Sequence, residues 1–479
     1  MTTYNRLFIG GDWVAPVTGD TYELTSASTE EPIGSVPAAS EADVDVAVSE
    51  ARRAFEDPDG WATWEPARRA DAIDELANQL ELRAEEMARR VAAQNGMPIT
   101  IAKQLEGGFP LIVLRYYANL LRSSSFETQQ PHLLGGTSTV RREPLGVVAA
   151  ISPWNYPQTL ASFKIAPALA AGCTIVLKPS PETLLDSFLF GEAVAATSVP
   201  AGVVNIVPGG REVGAYLVGH PGVDKVAFTG STAAGRLIAE TCGRLLRPVT
   251  LELGGKSAAI VLDDADLNLE VVGERLFESL LVNNGQTCYL GTRVLAPDNR
   301  YDEVVDTLAA FVAGLPVGDA LDPQTMIGPM ASALHRDRVE GFIDKGRGEG
   351  ARVVTGGERS DRDRGWFVTP TVFADVDNNS VIAQEEIFGP VLAVIRYSDV
   401  DDAVRIANDS RYGLGGTVWT SDPDRGAAVA RRVHTGTIGI NRYLPDPSAP
   451  FGGVKDSGLG RELGPEGLNA YLNVKTIYS

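Results

Sequence analysis

Five short apolar runs, each followed by a loop of glycine, proline or charged residues, constrain this chain more than any other feature. They occupy residues 145–151, 174–177, 203–207, 225–228 and 258–261, with helix-like patterns between most of them. A continuous apolar run is the mark of a strand buried on both faces. Strands alternating with helices form a parallel sheet with crossover helices. Ligands of such sheets bind outside the carboxyl ends of the strands, so chemistry is sought in the residues after each run.

The rest of the chain adds domains around that sheet. Its 479 residues exceed one hydrophobic core, which predicts two or three domains. After a short strand-and-turn entry the first third reads as helical. Ser40 and Asp43 make a capping pair ahead of Val44, Val48, Ala51 and Phe55. One long helical pattern spans residues 66–93 and stops at Asn95-Gly96. A second α/β stretch runs over residues 263–455. Residues 123–142 read as an inserted polar hairpin, and residues 474–478 as a terminal strand.

Charge and cysteine usage exclude several functions. The formal net charge of −20 opposes nucleic acid and anionic membranes, and no apolar run is long enough to span a bilayer. Three cysteines, Cys173, Cys242 and Cys288, are too few for a disulfide framework and fit a reducing compartment. No spacing suggests a metal site. The histidines, His132, His220, His335 and His434, stand singly and read as surface or packing residues. The first ten residues lack a signal-peptide pattern, which predicts a soluble, cytoplasmic protein.

Seven segments carry candidate chemistry. Ser152-Pro153-Trp154-Asn155-Tyr156-Pro157 follows the first run; Asn155 can donate to a developing oxyanion or shape a turn. Lys178, ahead of Pro179-Ser180-Pro181-Glu182, can reach ribose hydroxyls or a phosphate, or lie in solvent. Phe228-Thr229-Gly230-Ser231-Thr232 opens a helix and forms an anion site. Arg236-Leu237 stands where an NTPase loop has Lys-Ser/Thr, and there is no G-x-G-x-x-G after a strand. In Leu251-Glu252-Leu253-Gly254-Gly255-Lys256, Glu252 is a candidate desolvated base or a capping carboxylate. In Asn283-Asn284-Gly285-Gln286-Thr287-Cys288, Cys288 is a candidate nucleophile whose neighbouring backbone donors would favour the thiolate. The alternative, a buried inert thiol, suits Cys173 and Cys242 better. Residues 385–391 and 450–455 each set glycine beside an aromatic, for packing on a flat ligand or for a tight turn.

Together and in this order, these segments resemble the aldehyde dehydrogenase superfamily over nearly the whole chain. The resemblance implies an α/β fold with a Rossmann-like cofactor domain (1–121 and 145–252), an α/β catalytic domain (253–455) and a small β oligomerisation arm (122–144 and 456–479). It implies oxidation of an aldehyde to a carboxylic acid, with Cys288 attacking the carbonyl, Asn155 and the Cys288 N–H holding the oxyanion, and Glu252 activating the hydrolytic water. NAD, or alternatively NADP, would be held by Trp154, Lys178, Glu182, Gly209, Gly230, Ser231, Glu386 and Phe388. No metal is implied, and a homodimer or homotetramer is. Glu252 argues against transfer to CoA, and Cys288, Glu252 and Asn155 together argue against a non-catalytic relative. Pro181 stands where many members carry an acid, which leaves Glu182 to favour NAD over NADP. Tyr289 and Leu290 follow Cys288 where smaller residues are frequent. With Trp154, Tyr156 and the loop 443–450, an apolar tunnel for a hydrophobic aldehyde is expected.

Overall fold

The computed structural model describes residues 1–479. Four of the five apolar runs, joined by Val249–Glu252, form five parallel strands of one sheet, in the order Val249–Glu252, Lys225–Thr229, Val147–Ile151, Thr174–Lys178, Val204–Ile206. The earliest of these strands lies in the middle. Its neighbours connect in opposite directions, so the carboxyl edge opens a crevice between Val147–Ile151 and Lys225–Thr229. Ile151 pairs with Lys178 and Phe228, and Thr229 with Glu252. That register brings Asn155, Lys178, Gly230 and Glu252 to one edge. The helix Pro157–Ala171 is buried along its whole length, and Pro157 begins it where a missing N–H costs nothing.

The fifth run departs from the series. Ala258–Val261 leaves the first sheet and lies in a seven-stranded second sheet, parallel to Arg293–Pro297 on one side and Gly416–Trp419 on the other. Apolar texture identifies a buried strand but not which sheet buries it. Residues 253–257 cross between the two sheets, so Glu252 and Cys288 approach from different units.

Two expected boundaries move. The pattern over residues 66–93 is two helices, Pro66–Glu81 and Ala84–Asn95, broken at Leu82-Arg83. Leu82 is 79% exposed, so the apolar stripe loses its register there. The expected stop holds: Gly96 caps the second helix at φ 80°. A Cβ there would lie 2.2 Å from the Pro329 carbonyl oxygen, which only glycine avoids. The terminal arm begins later than residue 456. Gly458–Leu459 pairs with Val249–Glu252 at the edge of the first sheet, and only Leu472–Tyr478 joins the hairpin of Glu127–Pro131 and Thr137–Pro144. No helix is long and apolar enough to cross a membrane.

Candidate active site

Cys288 follows a turn that the sequence makes improbable and side-chain hydrogen bonds make stable. Asn283 and Asn284 have φ of 54° and 61°, and Gly285 has 76°. Asparagine tolerates this region better than other side chains, and here both are fully buried clamps. Asn284 Nδ2 donates to the carbonyls of Gly96 (2.8 Å) and Pro329 (2.9 Å), and its Oδ1 accepts from Gly328 N–H at 2.7 Å. Gln286 Oε1 accepts from Ala331 N–H. Asn283 Nδ2 and Asn95 Nδ2 both donate to the Asn155 carbonyl, at 3.0 and 3.1 Å. Asn155 Nδ2 donates to the Gln286 carbonyl at 2.9 Å, which leaves its second N–H available. The Cys288 turn and the Asn155 loop are therefore one rigid unit. Sequence reading missed Asn95, Asn283, Asn284 and Gln286 as its frame. The signal was a pair of Asn-Gly steps, at 95–96 and 284–285.

Around the thiol stand two carboxyl groups. Burial pushes the Cys288 thiol well above its usual range, and the nearby Glu386 and Glu252 push it further. The backbone N–H groups of Cys288 and Tyr289 favour the thiolate, as the turn predicts, but burial outweighs them and holds the thiol protonated. Glu252 is 3% exposed and neither of its side-chain oxygens has a hydrogen-bond partner. Burial raises its carboxyl well above the carboxylate range, and Glu462 raises it further. A Cβ on Gly452 would lie 2.5 Å from Glu252 Oε1, so the 450–455 segment is a tight turn packed on this base. Lys164, the only charge in the helix Pro157–Ala171, bonds Glu462 at 2.8 Å and Thr229 at 2.6 Å. That pair was also missed, although one charge in an apolar helix was a signal.

The remaining candidates line the crevice edge. Lys178 Nζ donates to the Gly209 carbonyl at 2.6 Å and to its neighbour Pro179, so these two sites meet. Burial brings the Lys178 amine down to about 8, opposed by Glu182. Glu182 is exposed and held by Ser180 Oγ at 2.5 Å. Ser231 caps the helix Thr232–Arg244 by accepting from Ala234 N–H, leaving first-turn N–H groups for an anion. Gly230 N–H is spent on the Glu252 carbonyl at 3.0 Å. Glu386 Oε1 accepts from Gly255 N–H at 2.9 Å, and a Cβ on Gly254 would lie 2.6 Å from its other oxygen. Burial raises Glu386 to about 7. Phe388, at φ 64°, meets Trp154 edge-on at 5.4 Å. His335 packs on Trp154, bonds the Phe388 carbonyl and is brought down to about 4 by burial; it is a neutral packing residue, as its isolation in the sequence suggests.

On the other side of Cys288 is a cavity of about 300 Å³. Fourteen of its 21 lining residues are hydrophobic, so it suits an apolar chain. Tyr289 stacks on Tyr443 at 4.3 Å and meets Phe451 edge-on. Tyr156 bonds Thr287 Oγ1 at 2.7 Å. Leu290 is 2% exposed in the core of the second sheet and does not line the cavity. Trp154 is likewise absent from the lining and belongs to the crevice side.

Comparison with known proteins agrees with this arrangement. The model of the aldehyde dehydrogenase family matches residues 13–477. A geranial dehydrogenase of Castellaniella defragrans is 57% identical, with 99% of this chain and 98% of that protein covered. The crystal structure of a Mycobacterium tuberculosis aldehyde dehydrogenase complexed with NAD+ has a TM-score of 0.97 at 47% identity, over 100% of this chain and 98% of that one. A mutant aldehyde dehydrogenase C of Pseudomonas syringae, complexed with NAD+ and octanal, has a TM-score of 0.94 at 39% identity, over 99% and 96% of the two chains. With the family model matching residues 13–477 and these relatives matched over nearly their whole length, this chain belongs to the aldehyde dehydrogenase family.

Proposed function

We propose that this enzyme oxidises apolar aldehydes to carboxylic acids with NAD, using Cys288, Glu252 and Asn155. The observation that carries this reading is the position of Cys288. It lies in the wall of the apolar cavity and is also felt electrostatically by Glu252 and Glu386 on the crevice side. An aldehyde entering the cavity would thus meet a thiol with a base and a cofactor site behind it.

The residues divide the work. The Cys288 thiol gives its proton to water, Sγ attacks the carbonyl carbon, and the oxyanion that forms takes the free N–H of Asn155 and the Cys288 backbone N–H. When bound, NAD would supply the hydride acceptor and a positive ring that favours the thiolate. The thioester left on Cys288 is opened by water whose proton goes to Glu252 as its carboxylate. The acid departs and the thiol is restored. Glu252 in this position supports water rather than CoA as the acceptor.

The crevice residues fit the cofactor. Lys178 and Glu182 would bond the adenosine ribose, beside Gly209. Gly230 and Ser231 place the helix start at the pyrophosphate. Glu386, cradled by Gly254 and Gly255, would hold the nicotinamide ribose, with Phe388 and Trp154 packed nearby. Glu182 opposes a 2′-phosphate, which supports NAD over NADP. The relatives that act on geranial or bind octanal support the apolar substrate. The hairpin tip, with Leu133 and Leu134 at 101% and 92% exposure, and Tyr478 at 72%, supports a homodimer or homotetramer joined through the arm.

NADH formation with a panel of aldehydes tests the reading. Geranial and octanal should exceed succinic semialdehyde in kcat/KM by at least about tenfold, and NAD should exceed NADP. A preference for the charged semialdehyde would overturn the substrate class.

A further inference from the structure

The segment Lys103–Gly108 is a π-helical turn between the helices Ile99–Ala102 and Phe109–Ser123. Such insertions re-aim neighbouring side chains and recur at functional sites. Here Gln104, Leu105 and Phe109 line the apolar cavity, as do Thr159, Leu160 and Phe163 of the helix Pro157–Ala171. Two ties join these elements. Glu106 Oε2 accepts from Gln158 N–H at 2.8 Å, and the Leu105 carbonyl accepts from the Thr159 hydroxyl. Adjacent residues on one element thus grip adjacent residues on the other.

Glu106 is 1% exposed, and its Oε1 has no hydrogen-bond partner. Burying a carboxyl group with one oxygen unsatisfied is unfavourable, and no step of the reaction uses it. The group is also reinforced from behind. Gln158 Nε2 donates to Asp186 at 2.6 Å, and Asp186 accepts from Gln94 at 3.0 Å. Burial raises Glu106 to about 8, so it is a neutral acid at neutral pH.

We propose that Glu106 is a positioning residue for aldehyde selectivity, fixing the distance between the π-helical turn and the start of the Pro157–Ala171 helix and so the girth of the tunnel. This rests on the apolar-aldehyde reading above. A long branched substrate touches both walls of the tunnel, whereas propanal makes few contacts with either. Loosening the tie therefore penalises the first and spares the second.

The test compares wild type, Glu106→Gln and Glu106→Ala with geranial and propanal. The amide is neutral and keeps an acceptor for Gln158 N–H, so Glu106→Gln should stay within about twofold of wild type. In Glu106→Ala the ratio of kcat/KM for geranial over propanal should fall about tenfold. The loss should lie in the KM for geranial, with the kcat for propanal held. If Glu106→Ala does not fold, Glu106→Asp, one methylene too short, carries the same readout. A folded Ala or Asp variant with an unchanged ratio overturns the role of Glu106, as does an amide variant as impaired as alanine. A wild type that prefers charged aldehydes overturns the underlying substrate reading instead.

Discussion

At the scale of single residues, burial sets the chemistry of Cys288 and Glu252. Both are held in their neutral forms by desolvation, and nearby carboxyl groups strengthen the effect. Cys288→Ala should lower aldehyde oxidation by about ten-thousandfold or more, with NAD binding retained in calorimetry; substantial turnover would exclude Cys288 as nucleophile. The sign of the pH dependence follows from Glu252. A base with a raised pKa is protonated at low pH, so deacylation should increase with pH through a range above that of ordinary carboxylates. A pH profile of kcat checks this, and Glu252→Gln should flatten that limb. Their motifs single both residues out as candidates. Their environments are not legible in the motifs, because Glu462, Lys164 and Glu386 reach them from remote parts of the chain.

At the scale of elements, the strands were legible as apolar runs and their sheet membership was not. Ala258–Val261 reads like its predecessors and pairs elsewhere, because pairing partners such as Gly416–Trp419 lie far along the sequence. Turns were legible where one residue type is forced, as at Gly96. The nucleophile turn was read as merely polar, although its asparagines are buried clamps. Asn284→Ala removes bonds to Gly96, Pro329 and Gly328 and puts alanine at positive φ. The expected cost is about 2–4 kcal/mol, to be read by denaturant unfolding. A cost near zero would show that the clamp does not hold the turn.

At the scale of the whole molecule, two sheets supply the two halves of one site, and the sheet formed by Glu127–Pro131, Thr137–Pro144 and Leu472–Tyr478 stands apart from it. Residues 123–142 and 474–478 carry β patterns in the sequence, and Leu472–Tyr478 pairs with Thr137–Pro144. Pairing leaves exposed apolar side chains on an edge strand, a surface that invites a second copy. Truncation after Tyr471 should therefore lower the molar mass measured by light scattering by a factor of about two or more. An unchanged mass would place the interface elsewhere. The central claim joins the halves: an aldehyde from the apolar tunnel becomes an acyl group on Cys288 that only Glu252 releases. Its most direct test is the mass of Glu252→Gln after acid quench with geranial and NAD. The account predicts a mass increase on the peptide bearing Cys288 equal to the aldehyde less two hydrogens, one leaving as hydride and one from the thiol, and matched by one NADH per active site. A burst of NADH without that adduct, or steady turnover equal to wild type, would contradict it.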